Sequence, residues 1–481
     1  MSINTTVRTI QDIMRKDTGV DGDAQRINQL VWMMFLKIID DHERQRQEKE
    51  STYRSPIPES LRWRSWAGNP DGITGTELLN FVNKELFPQL KNHPANPEVN
   101  TIGSVVREAF KDAHNYMQSG HLIRQVINKL NEINFSRARD RHLLGDIYEQ
   151  ILRDLQNAGN AGEYYTPRAV TEFMVNMTDP KMGETVLDPA CGTGGFLTCT
   201  IEHVRNKYVR TRAQERALQG SIFGIDKKPF PHLLCITNML LHGIDEPNQI
   251  IRGNALTRRL GQYTDGDRVD VILTNPPFGG IEEDGVELNF PPALRSRETA
   301  DLFLVLIIQL LRNGGRAAVV LPDGFLFGEG VKSRIREKLL RECNLHTIVR
   351  LPNGVFSPYT GIRTNLLFFQ KGGPTEEVWY FEHPYPEGYK AYSRMKPLTI
   401  GEFVVESNWW RRRKESKLAW KVSVGKLIAN NFNLDVRNPH VRRVCLRDPV
   451  QVLKEHDQVI ADFVQAKDRL KRALAVTLSK V

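Results

Sequence analysis

Apolar residues repeat at helical spacing through the first third of the chain. Residues 23–40 show the pattern most clearly, with apolar positions at Ile27, Leu30, Val31, Met34 and Ile38. The same spacing recurs in residues 77–87, 102–117 and 141–155. We interpret these segments as an α-helical N-terminal domain, residues 1–157, which forms a bundle without chemistry of its own.

Beyond residue 157 the helical pattern gives way to short apolar runs separated by helical segments. Small residues at 157–162 indicate a hinge before this change. The apolar runs are residues 185–188, 221–226, 269–274, 316–321, 345–351 and 365–370. Alternation of this kind is typical of a parallel α/β sheet, which we assign to a domain at residues 158–400.

The remaining segment, residues 401–481, ends in a charged stretch with helical periodicity. From residue 449 onward the sequence predicts an amphipathic helix. The apolar positions on one of its faces are Val452, Val459, Phe463, Leu470 and Leu474. A helix of this kind at a chain end is more often an interaction element than part of a core.

The tetrapeptide Asn275-Pro276-Pro277-Phe278 follows directly on the apolar run 269–274, where a buried strand would reach a sheet edge. Pro276 lacks an N–H and Pro277 favours an extended residue before it, so the turn presents carbonyl oxygens. The Asn275 amide oxygen and the Pro276 carbonyl can together accept both hydrogens of a planar NH2 group. Phe278 can stack on the ring that carries this amine. Taken alone, a strand followed by a Pro-Pro turn accounts for these residues equally well.

A glycine loop lies between a predicted strand and a predicted helix. It reads Asp188-Pro189-Ala190-Cys191-Gly192-Thr193-Gly194-Gly195-Phe196. Glycines there let the backbone approach a ligand, and a helix N-terminus favours a carboxylate or phosphate. The dinucleotide fingerprint would place its last glycine at Leu197. Asp226 ends the next strand and can hold ribose hydroxyls, but it follows Gly192 by 226 − 192 = 34 residues rather than roughly 20. A nucleoside ligand without a pyrophosphate fits better.

With these motifs the chain resembles the adenine-N6 DNA methyltransferases that use S-adenosylmethionine. Residues 162–168, before the glycine loop, and residues 431–435 and 438–440, near the C-terminus, extend the resemblance to the modification subunit of type I restriction–modification systems. The implied fold is α/β. It has a Rossmann-like S-adenosylmethionine-dependent methyltransferase sheet, preceded by an α-helical N-terminal domain and followed by a C-terminal helical segment.

The resemblance also implies roles for individual residues. The residues implied around the methionine part of the cofactor are Glu163, Tyr164, Tyr165, Thr166, Pro167 and Arg168. Those implied in the cofactor loop are Asp188, Gly192, Thr193, Gly194, Gly195 and Phe196. Asp226 would hold the ribose, and Asn254 stands where relatives often carry an acid near the cofactor's adenine. The catalytic residues would be Asn275, Pro276, Pro277 and Phe278, which hold and stack a flipped adenine while its N6 displaces the methyl group from sulfur.

Partners follow from the same resemblance. They are DNA, a specificity subunit, a restriction subunit with nuclease and translocase activity, and a second copy of this chain. The C-terminal helix would dock against the specificity subunit. That subunit would also choose the DNA sequence, so nothing in this chain is expected to encode the site.

The composition agrees with a cytoplasmic protein that binds a polyanion. Lys and Arg number 66 against 57 Asp and Glu, which gives a formal charge of +9. The five cysteines show neither a CxxC pair nor zinc-ligand spacing, so we expect reduced thiols and no metal site. We find no signal peptide, and the longest apolar run, residues 302–311, contains Gln309 and predicts a packed helix rather than a membrane span.

Three other functions share parts of this pattern. A stand-alone adenine-N6 methyltransferase would need its own recognition domain, for which the C-terminal segment is short. A protein-glutamine methyltransferase can use a similar Asn-Pro-Pro turn, because the glutamine amide is also a planar NH2 group. A non-catalytic assembly subunit would not need an intact motif at residues 275–278.

Two further segments allow two interpretations each. The segment Trp409-Trp410-Arg411-Arg412-Arg413-Lys414 either contacts phosphate or forms a solvated basic face beside two anchoring tryptophans. Phe356 and Arg363 either line the pocket for the target base, as a loop does in family members, or belong to an ordinary turn.

Overall fold

The structure, a computed structural model, describes residues 3–94, 102–133, 166–357, 360–393, 396–441 and 449–478. Its N-terminal part is helical. The helices are α1 (Ile3–Met14), α2 (Asp23–Lys49), α3 (Trp63–Trp66), α4 (Gly75–Asn80), α5 (Phe87–Lys91), α6 (Ile102–Phe110) and α7 (Gly120–Asn131). A π-helical segment, Phe81–Leu86, connects α4 to α5 without a break. The predicted helix at residues 141–155 lies outside the described residues.

Helix α2 is central to the N-terminal core. The five apolar positions predicted to share a face are all buried, which confirms the helical pattern of residues 23–40. On the same helix, Trp32 packs edge-on against Phe87 and Phe110, with ring centroids 5.0 and 6.4 Å apart. Burial of large aromatic side chains in this geometry stabilises the packing of α2 against α5 and α6.

The predicted helix at residues 102–117 is shorter than expected, since α6 ends at Phe110. The chain that follows is held in an irregular path by Gln29 of α2, which accepts the Tyr116 N–H and donates to Asn115 Oδ1, both at 2.9 Å. Asp17 accepts the N–H of Gln118 at 2.9 Å. Side chains distant in sequence thus replace the intrahelical bonds that the periodicity alone predicts.

In the described part of the chain, the α/β region contains one mixed sheet of nine strands. The strands are β1 (Val186–Asp188), β2 (Ile222–Asp226), β3 (Ile250–Arg252), β4 (Val269–Thr274), β5 (Leu311–Pro322), β6 (Cys343–Arg350), β7 (Thr364–Lys371), β8 (Glu377–Glu382) and β9 (Ala419–Ser423). Their order is β3-β2-β1-β4-β5-β7-β6-β8-β9. The first five positions are parallel, whereas β7 is antiparallel to both β5 and β6.

Helices cover both faces of the sheet. They are α8 (Arg168–Thr178), α9 (Gly195–Tyr208), α10 (Arg212–Gln219), α11 (Pro229–Leu241), α12 (Thr299–Leu310), α13 (Asp323–Phe327), α14 (Val331–Glu342), α15 (Val404–Arg411) and α16 (Val424–Ala429). Alternate residues of β4 divide between two cores, as the pleat requires. Val271 faces the core that includes α8, α9, α11 and the N-terminal helices, and Ile272 faces the core built on α12 and α14.

The six predicted strands are present, but β3, β8 and β9 were not predicted. Strand β3 has three residues and exposes Ile251, so it lacks an alternating pattern. Strands β8 and β9 pair with each other and join the sheet through β6. The sheet therefore continues past residue 400, where the sequence analysis divides the α/β domain from the C-terminal segment, and the compact unit that contains it extends to Arg437.

A second compact unit begins at Asn438 and contains the helix α17 (Pro449–Leu478). It matches the predicted C-terminal helix. Within residues 452–472, where side chains are described, its large exposed apolar residues are Val452, Leu453, Val459, Ile460, Phe463, Val464 and Leu470. Among the helices described, none combines the length and apolar character needed to cross a membrane.

Candidate active site at the strand ends

The carboxyl ends of β1 to β4 surround a cavity of about 560 Å³. Parallel strands end at the same sheet edge, which is where ligands of open α/β sheets bind. The predicted site residues that line it are Thr166, Asp188, Gly192, Thr193, Gly195, Phe196, Asp226, Asn254, Asn275, Pro276, Pro277 and Phe278. Two motifs separated by some eighty positions in sequence, the glycine loop and the tetrapeptide at 275–278, thus share one cavity.

Other predicted residues lie elsewhere. Pro167 is the N-cap residue of α8, and the Arg168 guanidinium pairs with Glu202 and donates to Thr198 Oγ1 at 3.2 Å. Neither of these residues is part of the cavity lining, and nor is Gly194. The remaining three predicted residues, Glu163, Tyr164 and Tyr165, lie outside the described residues.

The glycine loop turns sharply between β1 and α9. Gly192 and Gly194 have φ values of 52° and 82°, a region that side chains with a Cβ rarely adopt. At Gly194 a Cβ would also stand 2.8 Å from Cys235 Sγ, so only glycine fits this close approach. The loop leads directly into the first turn of α9, whose backbone N–H groups lack intrahelical partners and favour a negatively charged group.

Two acidic side chains at the strand ends, Asp188 and Asp226, have raised pKa values. Asp188 is buried, accepts the Ala190 N–H at 3.1 Å, and has its pKa raised to about 7 by desolvation. Burial likewise raises the pKa of Asp226 to about 6, although its two oxygens accept the N–H groups of Gly192 and Lys228 at 3.0 and 2.8 Å. Perturbed carboxyl groups that line a cavity are typical of functional sites.

Asn275 carries an unmet hydrogen-bonding capacity. Its Nδ2 donates to Thr166 Oγ1 at 3.0 Å, which fixes the orientation of the amide. Its Oδ1 is buried and has no hydrogen-bond partner among the residues that the structure describes. An unpaired buried acceptor costs about 1–3 kcal/mol relative to a bonded one, so a donor from a ligand would be stabilised there.

Aromatic side chains line the cavity beside Asn275. Phe278 is half-buried and meets Phe356 edge-on, with ring centroids 6.4 Å apart. Phe356 lines the cavity together with Thr360 and Ile362. Arg363 does not belong to that lining; its exposed side chain donates to Asn353 Oδ1 at 3.0 Å. Of the two candidates for a base pocket, only Phe356 therefore reaches the cavity.

Sequence reasoning missed charged residues at the opposite end of the cavity. Lys227 and Lys228 follow Asp226 directly, and Glu282 comes from the loop after the Asn275 motif. Glu282 accepts a hydrogen bond from Asn254 Nδ2 at 3.0 Å. The run of acidic residues after Gly279-Gly280 could have indicated a charged group in the cavity. Nothing in its spacing, however, indicates which of these side chains points into the cavity.

The basic segment near the C-terminus is partly structural. Trp409 packs against Trp379 and Phe381, with ring centroids 5.7 and 5.1 Å away. The Arg413 guanidinium lies 4.9 Å from the centroid of the Trp410 ring and donates to the His346 carbonyl. Arg413 is therefore committed to the fold, whereas the other basic side chains of the segment are exposed.

Comparison with known proteins places these features in a family. Residues 139–444 match the family described as N-6 DNA Methylase, and residues 3–130 match the HsdM N-terminal domain. The chain is 57% identical to the type I restriction enzyme EcoEI methylase subunit of Escherichia coli, over 100% of this chain and 99% of that protein.

Solved structures agree with this relationship. The crystal structure of a modification subunit of a putative type I restriction enzyme from Vibrio vulnificus YJ016 is 43% identical, covers 92% of this chain and 97% of that chain, and superposes with a TM-score of 0.83. A chain from a study of complex assembly and conformational transition of the type I R-M system is 35% identical, covers 98% of both chains and has a TM-score of 0.82. The chain belongs to the N-6 DNA methylase family and, within it, to the methylase subunits of type I restriction enzymes.

Proposed function

We propose that this methylase subunit transfers a methyl group from S-adenosylmethionine to N6 of an adenine flipped out of DNA, within a complex that contains a separate specificity subunit. Membership in the type I family separates this chain from the stand-alone and protein-glutamine methyltransferases considered from its sequence. The cofactor supplies a methyl group on a positively charged sulfur.

The residues of the cavity fit such a cofactor. The cavity has a volume of about 560 Å³, which falls within the roughly 300–1,000 Å³ of typical small-molecule sites. We assign the ribose hydroxyls to Asp226 and the carboxylate of the methionine part to the glycine loop and the first turn of α9. We assign the methionine side also to Thr166, which lines the cavity.

The observation that carries the proposal is that Asn275 Oδ1 has no hydrogen-bond partner within the described part of the chain. A target adenine presents an amine that can donate to this oxygen, and Thr166 keeps the oxygen directed at it. Phe278 stacks on the base, next to Phe356. The nitrogen lone pair then points at the methyl group, so positioning rather than a strong base promotes the displacement. The N6–C bond would form as the S–C bond breaks, with the sulfur keeping that electron pair as a neutral thioether, and N6 would release its extra proton to solvent.

Access of an adenine to this cavity requires base flipping, which costs a few kcal/mol of stacking and pairing. The chain's formal charge of +9 favours contact with the phosphate backbone, which supplies much of the affinity for DNA. The exposed basic residues beside Arg413 are candidates for such contacts.

We assign the docking of the specificity subunit to α17. A described stretch of this helix exposes seven large apolar side chains at helical spacing, an arrangement typical of a helix that binds other helices. A second copy of this chain and a restriction subunit would complete the assembly.

The role of Asn275 can be tested by separating methyl transfer from cofactor binding. Asn275→Ala is expected to slow methylation about 10²–10³-fold, as removal of one preorganised polar group does in other enzymes. Its affinity for S-adenosylhomocysteine, measured by calorimetry, should stay unchanged. Asp226→Ala should instead weaken that affinity first. Loss of cofactor binding in Asn275→Ala would mean that Asn275 supports the fold and not the base.

A further inference from the structure

The loop after the catalytic tetrapeptide returns across the sheet edge toward β2 and β3. A bridge between Ile281 and Glu298 holds it, since the Glu282 N–H donates to the Arg297 carbonyl at 3.1 Å. The Thr299 N–H donates to the Gly280 carbonyl at 3.0 Å. Because these bonds fix the backbone at Glu282 and just before it, its side chain has a defined direction into the cavity.

Asn254 is already committed on its acceptor side. Its Oδ1 accepts the Leu256 N–H at 3.0 Å, and its Nδ2 donates to Glu282 Oε2 at 3.0 Å. The exocyclic amine of an adenine needs an acceptor, which the Asn254 side chain would have to release from the backbone first. Position 254 is therefore poorly suited to hold an adenine by its amine.

Glu282 has the acceptor capacity that Asn254 lacks. Its side chain lines the cavity and is only 11% exposed. Among the described residues, its side-chain contacts with Asn254 Nδ2 and with Lys227 Nζ at 3.3 Å are both made by Oε2. A carboxylate has about four acceptor positions on two oxygens, so Oε1 can accept from a ligand. Lys227 and Asn254 hold the carboxylate in place.

The position of Glu282 matches the nucleobase end of the cofactor rather than the target base. Asn254 follows β3, and the N–H of its neighbour Gly253 donates to the Asp226 carbonyl at 2.8 Å. Asn254, and Glu282 which it contacts, therefore lie beside Asp226, the proposed ribose-binding acid. In the strand order, β3 and β2 lie on the opposite side of β1 from β4, and Asn275 follows β4 directly. A nucleoside whose ribose is held at Asp226 thus has its base near Asn254 and Glu282 when its sulfur points toward Asn275.

We propose that the Glu282 carboxylate accepts a hydrogen bond from the 6-amino group of the cofactor's adenine, and so supplies the acceptor that position 254 lacks. This inference rests on the proposed function, in which the cavity binds S-adenosylmethionine. It makes Glu282 a specificity determinant, because a base with an oxo group at that position would place a second acceptor against the carboxylate.

Calorimetry with the full-length chain can test this with two probes, S-adenosyl-L-homocysteine and its deaminated analogue S-inosyl-L-homocysteine. The wild type is expected to prefer the adenosyl compound by about 10-fold or more, the value of a buried hydrogen bond to a charged group. Glu282→Gln should weaken binding of the adenosyl compound and bring the ratio of the two affinities, adenosyl over inosyl, near or below one. The oxygen of the new glutamine side chain would face Asn254 and Lys227. Its NH2 group would then be left to donate to the 6-oxo group of the inosyl compound.

Two further variants separate this role from a structural one. Glu283→Gln is the matched control, because Glu283 is 73% exposed and contacts the same Lys227 at 2.8 Å without lining the cavity. It should keep the wild-type ratio. Glu282→Asp should keep a reduced preference for the adenosyl compound, which shows that the carboxylate and not the local fold sets the ratio.

The outcomes are distinguishable. A Glu282→Gln chain that binds both probes more weakly by the same factor, or binds as the wild type does, overturns the role of Glu282 while the cofactor site stands. A folded wild-type chain that binds neither probe overturns the proposed cofactor site itself, and the inference with it.

Discussion

The cavity at the strand ends and the C-terminal helix α17 each have groups left for a ligand or partner to contact, but these groups differ in kind. In the cavity the group is a polar, enclosed acceptor, since Asn275 Oδ1 is buried without a donor among the described residues. On α17 it is apolar and open, with Val459 and Phe463 exposed by 66% and 69%. Covering such surface contributes about 25 cal/mol per Å², regardless of the direction of approach.

This difference indicates what each region can recognise. A buried acceptor fixed by Thr166 accepts only a donor at one position and angle, so it selects a small planar ligand. An exposed apolar stripe accepts any surface of complementary shape, so it suits assembly. Because the two features belong to separate compact units, which meet between Arg437 and Asn438 in sequence, each should be open to disruption without loss of the other.

The largest expected effect is on assembly. Replacing Val459 and Phe463 together by Asp puts two charges into the apolar stripe, and two interface anchors cost about 2 kcal/mol or more each. We expect the affinity for the specificity subunit, measured by biolayer interferometry, to fall about 10³-fold. Binding of S-adenosylhomocysteine should not change. The exposed polar pair Gln458→Ala and Asp462→Ala serves as the control, and equal loss in that control would contradict an apolar interface.

A smaller effect concerns the pH dependence of cofactor binding. Asp226 has its pKa raised to about 6 by burial. In the proposed cofactor site, its ionised form would accept the two ribose hydroxyls. Affinity for S-adenosylhomocysteine should therefore fall as the pH drops through about 6, by about 10-fold between about pH 7.5 and about pH 5. Asp226→Asn should bind more weakly at high pH and lose this dependence. A wild-type slope that persists in Asp226→Asn would assign the titration to another group, such as Asp188.

The same shift predicts the sign of a stability effect. The pKa of Asp226 is higher in the folded chain than its ordinary value of 3.8, so the folded state favours the neutral carboxyl group. The stabilisation from this preference is complete below the ordinary pKa and is lost as the pH rises through about 6. Lowering the pH from about 7.5 to about 5 should therefore raise the thermal melting midpoint of the wild type relative to that of Asp226→Asn, whose side chain does not titrate, and a difference in midpoint that stays constant with pH would contradict this.

The smallest effect is expected from loss of the bond that orients Asn275. Thr166→Val removes the acceptor of Asn275 Nδ2 but keeps the volume of the side chain. The catalytic rate constant should fall about 3- to 10-fold, the value of one neutral hydrogen bond, with cofactor affinity unchanged. Thr237→Val removes a buried hydroxyl that bonds to the Leu233 carbonyl within its own helix, outside the cavity lining, and should leave the rate unaltered. Equal rates in both variants would show that Thr166 does not orient the amide.

How far the sequence predicted the fold depends on how local each feature is. The strand before Asn275, the turn at Gly192 to Gly195 and the periodicity of α17 are set by neighbouring residues, and all three have the predicted form. The residues after Phe110 carry a helical pattern as well, yet Gln29 and Asp17 hold them in another path. Such competition from distant side chains is invisible to periodicity.

The site shows the same limit. Asp226 and Asn275 end strands, and the edge of a parallel sheet brings such positions together, so their meeting in one cavity could be predicted. Glu282 reaches Asn254 only because the bridge between Ile281 and Glu298 turns its loop inward. Its neighbour Glu283 has the same charge and points outward, and no local pattern distinguishes the two.

In the proposed function, the chain contains the methylation chemistry and needs α17 to bring that chemistry to DNA. The most direct measurement is nucleoside mass spectrometry of plasmid DNA from a methylation-deficient host. The host would express the wild type alone, the wild type with its specificity subunit, or the Val459→Asp, Phe463→Asp variant with that subunit. We expect N6-methyladenine only in the second case. Methylation by the chain alone, or by the helix variant at the wild-type level, would contradict it.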